Sequence, residues 1–499
     1  MRALAACVMV QGTASSVGKS VIATALCRVL HDEGWRVAPF KAQNMSLNAA
    51  VTPAGEEIGR AQAAQAEAAG VTPRAAMNPI LLKPEGDERS QLVVLGRARG
   101  TVHARDHWTR RNELWPVIAA ALRELRAEFE VIVIEGAGSP AEINLRASDL
   151  ANMRVAKAAD AAVLLVADIE RGGVFAQVLG TLALLRPSDR ALVRGLLVNK
   201  FRGDRALFAS GVRALRRRSG LPVLGVLPYR EDLPVPPEDS LSLDAPAHGG
   251  PLDVAVVRYP RISNFDDLSA LAAAGAGVRY VREPAALGAP DLVVLPGSKS
   301  TLADLEWLRA SGLGPRVVAL ADAGVPLIGI CGGFQMLGRT LADPSGVDGS
   351  PGEARGLGLL PVRTTFAGPK RTVPVTGRVR SGGAFAGLAE TDLAGYELHV
   401  GETERDGAAP FAELVRPDGE RVTDGAVSAD GRILGTYVHG LFGVERVRES
   451  ILGTLARRRG LTFQPRALPP DPYGEVARWF RGAVDLAALL RATGLTTPG

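Results

Sequence analysis

Short apolar runs alternate with amphipathic stretches along most of this chain. In the first half the runs fall at 5–11, 36–40, 131–134, 162–167, 195–198 and 223–226, and between them 21–33 and 117–128 carry apolar residues at helical spacing. Runs this short and this uniformly apolar suit strands covered on both faces. Their alternation with helices predicts a parallel sheet. The pattern breaks from 227 to 251, where Pro, Asp, Glu, Gly and Ser crowd together. That composition marks a linker, placed here at 231–251. Alternation resumes at 253–258, 292–295, 327–330 and 433–438, predicting a second domain of the same kind over 252–445. The remainder, 446–499, reads as a tail with two amphipathic helices around the proline-rich stretch 465–472. The expected fold class is α/β: two doubly wound domains, 1–230 and 252–445, and a helical tail.

Composition narrows the function classes. With 499 residues and 46% hydrophobic content, the chain can build more than one core. Its net charge of +5 is spread along the chain without a Lys/Arg block, so no nucleic-acid partner is expected. No run approaches the roughly 18 apolar residues of a membrane span. The apolar start, 1–10, leads directly into a glycine-rich loop and reads as a first strand rather than a leader. Cys7, Cys27 and Cys331 are few, odd in number and without metal-ligand spacing. A disulfide framework is not expected; a reducing cytoplasm is.

Two motifs carry chemistry. Gly12-Thr13-Ala14-Ser15-Ser16-Val17-Gly18-Lys19-Ser20 follows the first strand and opens the first helix. Backbone N–H groups there, the helix N-terminus and the Lys19 ammonium suit a polyphosphate, and the Ser20 hydroxyl suits Mg²⁺. Five residues, rather than the usual four, separate Gly12 from Gly18. Glu135 ends the run 131–134, where a second Mg²⁺ ligand is expected. Asn199, after 195–198, could read a purine edge.

The other motif is Gly329-Ile330-Cys331-Gly332-Gly333-Phe334-Gln335. A lone cysteine among apolar residues is more often a core residue than a nucleophile. Here it stands at a strand end between glycines, the setting of a nucleophile elbow with sulfur as the nucleophile. His439 ends the run 433–438, so the two can meet as a thiol–imidazole pair. The Gly332 N–H, and the turn at Gly297 and Ser298 after 292–295, would supply oxyanion donors. One half thus reads as an ATP site and the other as an activated thiol. Glutamine-dependent amide formation needs both, since a thiolate frees ammonia while ATP activates a carboxylate.

The residues also carry a resemblance. Gly329–Gln335 with His439 resembles the class I glutamine amidotransferases. The long phosphate loop with Glu135-Gly136-Ala137-Gly138 resembles the dethiobiotin synthetase-like enzymes. Together, in this order, they resemble the cobyrinic acid amidase family. Long segments carry the likeness: Pro39-Phe40-Lys41-Ala42-Gln43-Asn44-Met45-Ser46-Leu47-Asn48, Asn78-Pro79-Ile80-Leu81-Leu82-Lys83-Pro84 and Asp168-Ile169-Glu170-Arg171-Gly172-Gly173 among them. The resemblance implies ATP- and Mg²⁺-dependent amidation of adenosylcobyrinic acid a,c-diamide at side chains b, d, e and g, with glutamine as nitrogen donor. It implies small-molecule partners only: corrinoid polycarboxylate, glutamine and ATP. It assigns Gln335 to the glutamine site, Lys41 to the nucleotide, and Lys83 and Arg171 to the substrate. The alternative is the family's a,c-diamide-forming ligase, which shares both domains; the segment 41–48 argues against it. A switch ATPase carrying an inactive second domain is the non-enzymatic alternative, and intact Cys331, His439, Lys19 and Glu135 argue against that.

In one respect the chain departs from most class I amidotransferases. They place a glutamate two residues after the histidine, and here that residue is Leu441. The expectation is a Cys331–His439 dyad, with Glu402 as the candidate if an acid orients the ring.

Overall fold

The computed structural model describes residues 4–496 apart from 87, 239–242, 244–248, 350 and 386. Six apolar runs of the first half form one sheet from β1 (Ala6–Gly12), β2 (Val37–Phe40), β3 (Val131–Glu135), β4 (Ala162–Asp168), β5 (Val193–Phe201) and β6 (Val223–Pro228). Their order is β6-β5-β4-β1-β3-β2, and every pairing is parallel. β2 and β3 are buried along their whole length, which explains why they read as unbroken apolar runs. The chain winds to one side of β1 and then to the other. The carboxyl end of β1 is therefore a switch point, where doubly wound sheets bind their ligands. The phosphate loop lies there, leading into α1 (Lys19–Asp32).

The second half repeats the plan. β7 (Asp253–Val257), β8 (Gly277–Val281), β9 (Leu292–Leu295), β10 (Leu327–Ile330), β11 (Ala426–Val427) and β12 (Ile433–Thr436) lie in the order β8-β7-β9-β10-β12-β11. All pair in parallel except β11, which runs antiparallel to β12. The helix Gly332–Leu337 packs so closely on this sheet that a Cβ on Gly333 would sit 1.9 Å from the Leu295 carbonyl oxygen. The second glycine after Cys331 is thus a requirement of close approach.

Several elements differ from the sequence reading. The run 433–438 is not one strand. After Thr436 the chain turns, because Asp424 accepts bonds from the Thr436 hydroxyl and the Tyr437 N–H, and Val438–His439 pairs antiparallel with Tyr396–Glu397. The helix expected at 117–128 begins at Ala104 and runs through Pro116 to Glu128. Proline removes one helical hydrogen bond, but Leu114, Ile118, Leu122 and Leu125 bury an apolar stripe across it. Further strands outside these two sheets are not marked in the sequence pattern, among them Gln43–Met45, Ala49–Val51, Ile80–Pro84, Arg371–Val379 and Asp392–His399.

The tail supplies three helices rather than two. Glu445–Arg458 completes the second domain's core through Val447, Ile451 and Leu455. Tyr473–Arg481 and Leu486–Thr493 return to the first domain, where Val476 and Phe480 join Ile22, Leu26 and Leu30 of α1 in one core. The Trp479 indole donates to the Pro228 carbonyl at 2.9 Å. Among the described residues, no helix is long and apolar enough to cross a membrane.

Candidate active sites

Cys331 caps the turn between β10 and the helix Gly332–Leu337 with φ 52° and ψ −111°. A non-glycine residue rarely holds positive φ, and here the turn lifts the side chain off the sheet edge. The thiol lies 3.6 Å from the Leu398 carbonyl oxygen and near enough to His439 to act on the charge of its ring. A Cβ on Gly332 would lie 2.8 Å from the Ser298 nitrogen, and one on Gly297 would lie 3.3 Å from His439 Cε1. The structure therefore brings Cys331, Gly332, His439, Gly297 and Ser298 together. The Ser298 hydroxyl donates to Asp304 at 2.6 Å, which fixes the turn that carries its backbone N–H.

His439 is not left to a dyad. Its Nδ1 lies 2.7 Å from Asp267 Oδ2, and Asp267 Oδ1 accepts from the Gly440 N–H at 2.7 Å. The Tyr396 ring stacks on the imidazole with centroids 5.3 Å apart. Burial alone would push the imidazole pKa down. The Asp267 carboxylate and the Cys331 sulfur outweigh it and raise it to about 10. The acid is thus Asp267, from the short helical turn Phe265–Leu268 after β7, and the expected dyad is corrected to a triad. Glu402 is exposed on the strand Glu402–Arg405 and lines a cleft rather than facing Nδ1.

Asp267→Asn should therefore lower the glutaminase rate by about 10²-fold, roughly 2.7 kcal/mol, while Glu402→Gln costs under about tenfold. An opposite charge favours the protonated ring. Removing it should bring the alkaline limb of the pH–rate profile down from near pH 10. Glutaminase profiles of both variants check this; an unmoved limb in Asp267→Asn contradicts the triad.

Gln335 is buried behind Cys331. Its Nε2 donates to the Val400 carbonyl and the Tyr437 hydroxyl, each at 3.0 Å, and its Oε1 accepts from Thr301 at 3.3 Å. Beyond Tyr437 opens a cleft of roughly 220 Å³, whose walls include Arg371, Arg405, Glu397 and Asp424. Such mixed charge suits a zwitterionic amino acid.

At the switch point of the first sheet, Lys19 is 7% exposed and its Nζ donates to the Ala14 and Gly138 carbonyls at 3.2 and 3.1 Å. It is held between the phosphate loop and the Glu135-Gly136-Ala137-Gly138 turn. The Ser20 hydroxyl lies 2.9 Å from Glu135 Oε1. Lys41 reaches the same oxygen at 2.8 Å, and Gln65 donates to Glu135 Oε2 at 2.6 Å. Burial would strip Lys41 of its proton, but Glu135 and Glu238 outweigh it and raise its pKa. Glu238 belongs to the stretch that reads as a linker. Gly18 holds φ +97°, and a Cβ there would meet Asn199 Nδ2 at 2.2 Å. That amide donates to the Val17 carbonyl at 2.8 Å. Of the group expected to read a purine, the donor half braces the loop instead.

Among the described residues no cluster of three or more His, Cys, Asp or Glu suits a metal by itself. Yet a hydroxyl and a carboxylate 2.9 Å apart at the end of a phosphate loop are hard oxygen donors of the kind Mg²⁺ takes when nucleotide phosphates and water complete its shell. The donor set fits Mg²⁺.

Two expected residues lie elsewhere. Lys83 is 3% exposed and sits between the domains, 2.7 Å from Glu57, whose other oxygen takes Lys370 at 2.6 Å. Burial pushes the Lys370 pKa down to about 8. Lys83 is therefore part of an interdomain trio with Glu57 and Lys370. Arg171 is exposed in the loop after β4.

One stretch, residues 41–51, touches both centres. Lys41 bonds Glu135, and Asn44 bonds Gln62 on α2 (Arg60–Ala68). Further along, the Leu47 carbonyl accepts from the Asn264 N–H at 3.4 Å, and the Ala49 carbonyl accepts from Asn264 Nδ2 and the Tyr396 hydroxyl at 2.8 and 3.1 Å. Arg60 pairs with Asp266, beside the triad acid, at 2.9 Å. Ala49, Leu81 and Val93 pack on Leu398, whose carbonyl meets the thiol.

Comparison with known proteins agrees with this division. Residues 8–243 match the CobQ/CobB/MinD/ParA nucleotide binding domain family, and residues 253–447 match the CobB/CobQ-like glutamine amidotransferase domain family. A solved glutamine amidotransferase overlaps 41% of this chain and 98% of its own at 19% identity, with a TM-score of 0.31, too low to carry weight. Among curated relatives, a cobyric acid synthase of Moorella thermoacetica is 47% identical over 99% of this chain and 98% of its own. Another, of Sorangium cellulosum, is 51% identical over 98% of both chains. Likeness at this level runs through the interdomain stretch and the tail as well as both centres, and the chain belongs to the cobyric acid synthase family.

Proposed function

We propose that this chain converts adenosylcobyrinic acid a,c-diamide to cobyric acid by amidating side chains b, d, e and g. Glutamine supplies the nitrogen, and one ATP is consumed per amide. The observation that carries this reading is the single stretch 41–51, which ties the phosphate-loop centre to the thiol centre within one chain.

Glutamine enters by the cleft beside Tyr437. His439 takes the Cys331 proton, and the thiolate attacks the carboxamide carbon. The N–H groups of Gly332 and Ser298 receive the oxyanion. His439 returns the proton to the leaving ammonia, Asp267 holding the ring through Nδ1 throughout. Water then frees glutamate from the thioester. In the first domain, the phosphate loop and Lys19 hold the triphosphate. Mg²⁺ held by Ser20 and Glu135 would neutralise phosphate charge as two anions approach. A carboxylate oxygen of the corrinoid attacks the γ-phosphorus and ADP leaves. Ammonia then displaces phosphate from the acyl carbon, leaving the amide. Arg171, exposed beyond β4, would meet a substrate carboxylate. Three free cysteines fit a cytoplasmic enzyme.

Coupled assays for ADP and glutamate test the scheme. Each amide should appear with one of each. ADP release that does not require the corrinoid would point to the switch-ATPase reading instead.

A further inference from the structure

The stretch between the domains holds an acid that its proline-rich composition conceals. Glu238 follows Pro236 and Pro237 and reaches back into the phosphate-loop centre. Its carboxylate lies 2.9 Å from the Ser20 hydroxyl and bonds Lys41. Glu135 takes the same two partners, at 2.9 and 2.8 Å. A serine hydroxyl has one hydrogen to donate. It faces two carboxylates at equal distance, so one of those contacts sets oxygen lone pairs against each other.

Two observations point to a cation between them. Lys41 is shared by both carboxylates, with Lys19 acting on Glu238 at longer range. Gln65 gives its Nε2 to Glu135, while its Oε1 is buried without a hydrogen-bond partner. Water carried by a bound cation would satisfy it. The chain is also built to hold Glu238 in place: the Ser46 hydroxyl donates to its carbonyl at 2.6 Å, and Asn48 Nδ2 donates to the Pro237 carbonyl at 2.9 Å. Ser46 and Asn48 belong to the stretch that touches both centres. The nucleotide-binding family match likewise extends to residue 243 and so takes in Glu238.

We propose that Glu238 is a protein ligand of the divalent-cation site, beside Ser20 and Glu135, so that the segment joining the two domains closes the nucleotide centre. This rests on residues 12–20 being the nucleotide site. Three hard oxygens from three separate elements, the first helix, a strand end and the interdomain segment, then converge on one cation. Binding it would tie the interdomain segment to the nucleotide.

Mn²⁺ is the probe, read by electron paramagnetic resonance on the full chain with a non-hydrolysable ATP analogue. Glu238→Gln keeps the size of the side chain and removes its charge. Mn²⁺ affinity in the ternary complex should fall at least about tenfold. Affinity for the analogue in EDTA should be unchanged, which also shows that the loop is folded. Unchanged or tighter Mn²⁺ binding in the variant would overturn the proposal, the tighter case making Glu238 a plug that competes with phosphate. Loss of analogue binding in EDTA would overturn it too, making Glu238 a brace of the loop. Wild-type protein that binds no analogue would instead remove the nucleotide reading on which the proposal stands.

Discussion

Cys331→Ala should lose glutamine-dependent amidation by at least about 10³-fold, roughly 4 kcal/mol, yet keep amidation driven by high ammonia. The sulfur is the only group at the elbow able to form the thioester, and nothing among the described residues replaces it. Alanine fits the turn with little change of packing, since Cys331 occupies a small buried site. The acyl-phosphate chemistry takes place in the other domain and accepts ammonia from any source. Rates with glutamine and with ammonium salt, measured on the same preparation, separate the two centres. Retained glutaminase activity would mean that Cys331 is not the nucleophile. Loss of the ammonia-driven reaction would mean that the thiol centre does more than supply nitrogen.

Lys19→Ala should show the complementary loss. Its ammonium is held by two carbonyls at 3.2 and 3.1 Å, one from the phosphate loop and one from the turn after β3. A triphosphate in the loop would take that charge where negative charge builds during transfer. Removing it should cost about 10²–10³-fold in amidation with either nitrogen source. Cys331 should still react with a glutamine-analogue electrophile, because the thiol centre draws no group from the loop. Normal amidation by Lys19→Ala would place the nucleotide elsewhere.

The parts legible in the sequence are those whose signal is local. The buried parallel strands read as apolar runs because both their faces are covered, and β1 and β3 lie within a residue of where the pattern put them. The phosphate loop and the elbow were legible because each packs its chemistry into a few consecutive residues. Asp267 was not, because a triad acid needs only to reach Nδ1 in space. It stands 172 residues from His439, in a turn whose two adjacent acids look like a solvated surface pair. The usual place, two residues after the histidine, held Leu441 and gave no pointer to it. Glu238 was hidden for a different reason: prolines around an acid are the mark of a linker, and here they stiffen a segment that is pinned at both Pro237 and Glu238. The partner of Lys83 was not legible, because a lysine after an apolar run is equally apt for a ligand carboxylate or for a buried ion pair, and only the fold shows Glu57 opposite it.

The interdomain contacts bear on coupling. The triad histidine lies under Tyr396, whose hydroxyl is bonded to the first domain, and Asp266 beside the triad acid is paired with Arg60 on α2. The opposite face of α2 sends Gln65 to Glu135. One rigid helix thus touches the neighbour of one catalytic group and the partner of another.

One chain moves nitrogen from glutamine to four carboxylates of one corrinoid. The direct measurement is mass spectrometry of the product made by the full chain from adenosylcobyrinic acid a,c-diamide, MgATP and glutamine labelled with ¹⁵N in its amide. Conversion to cobyric acid with all four new amides labelled, and no conversion without ATP, is expected. Unchanged a,c-diamide, or amides without label, would contradict it.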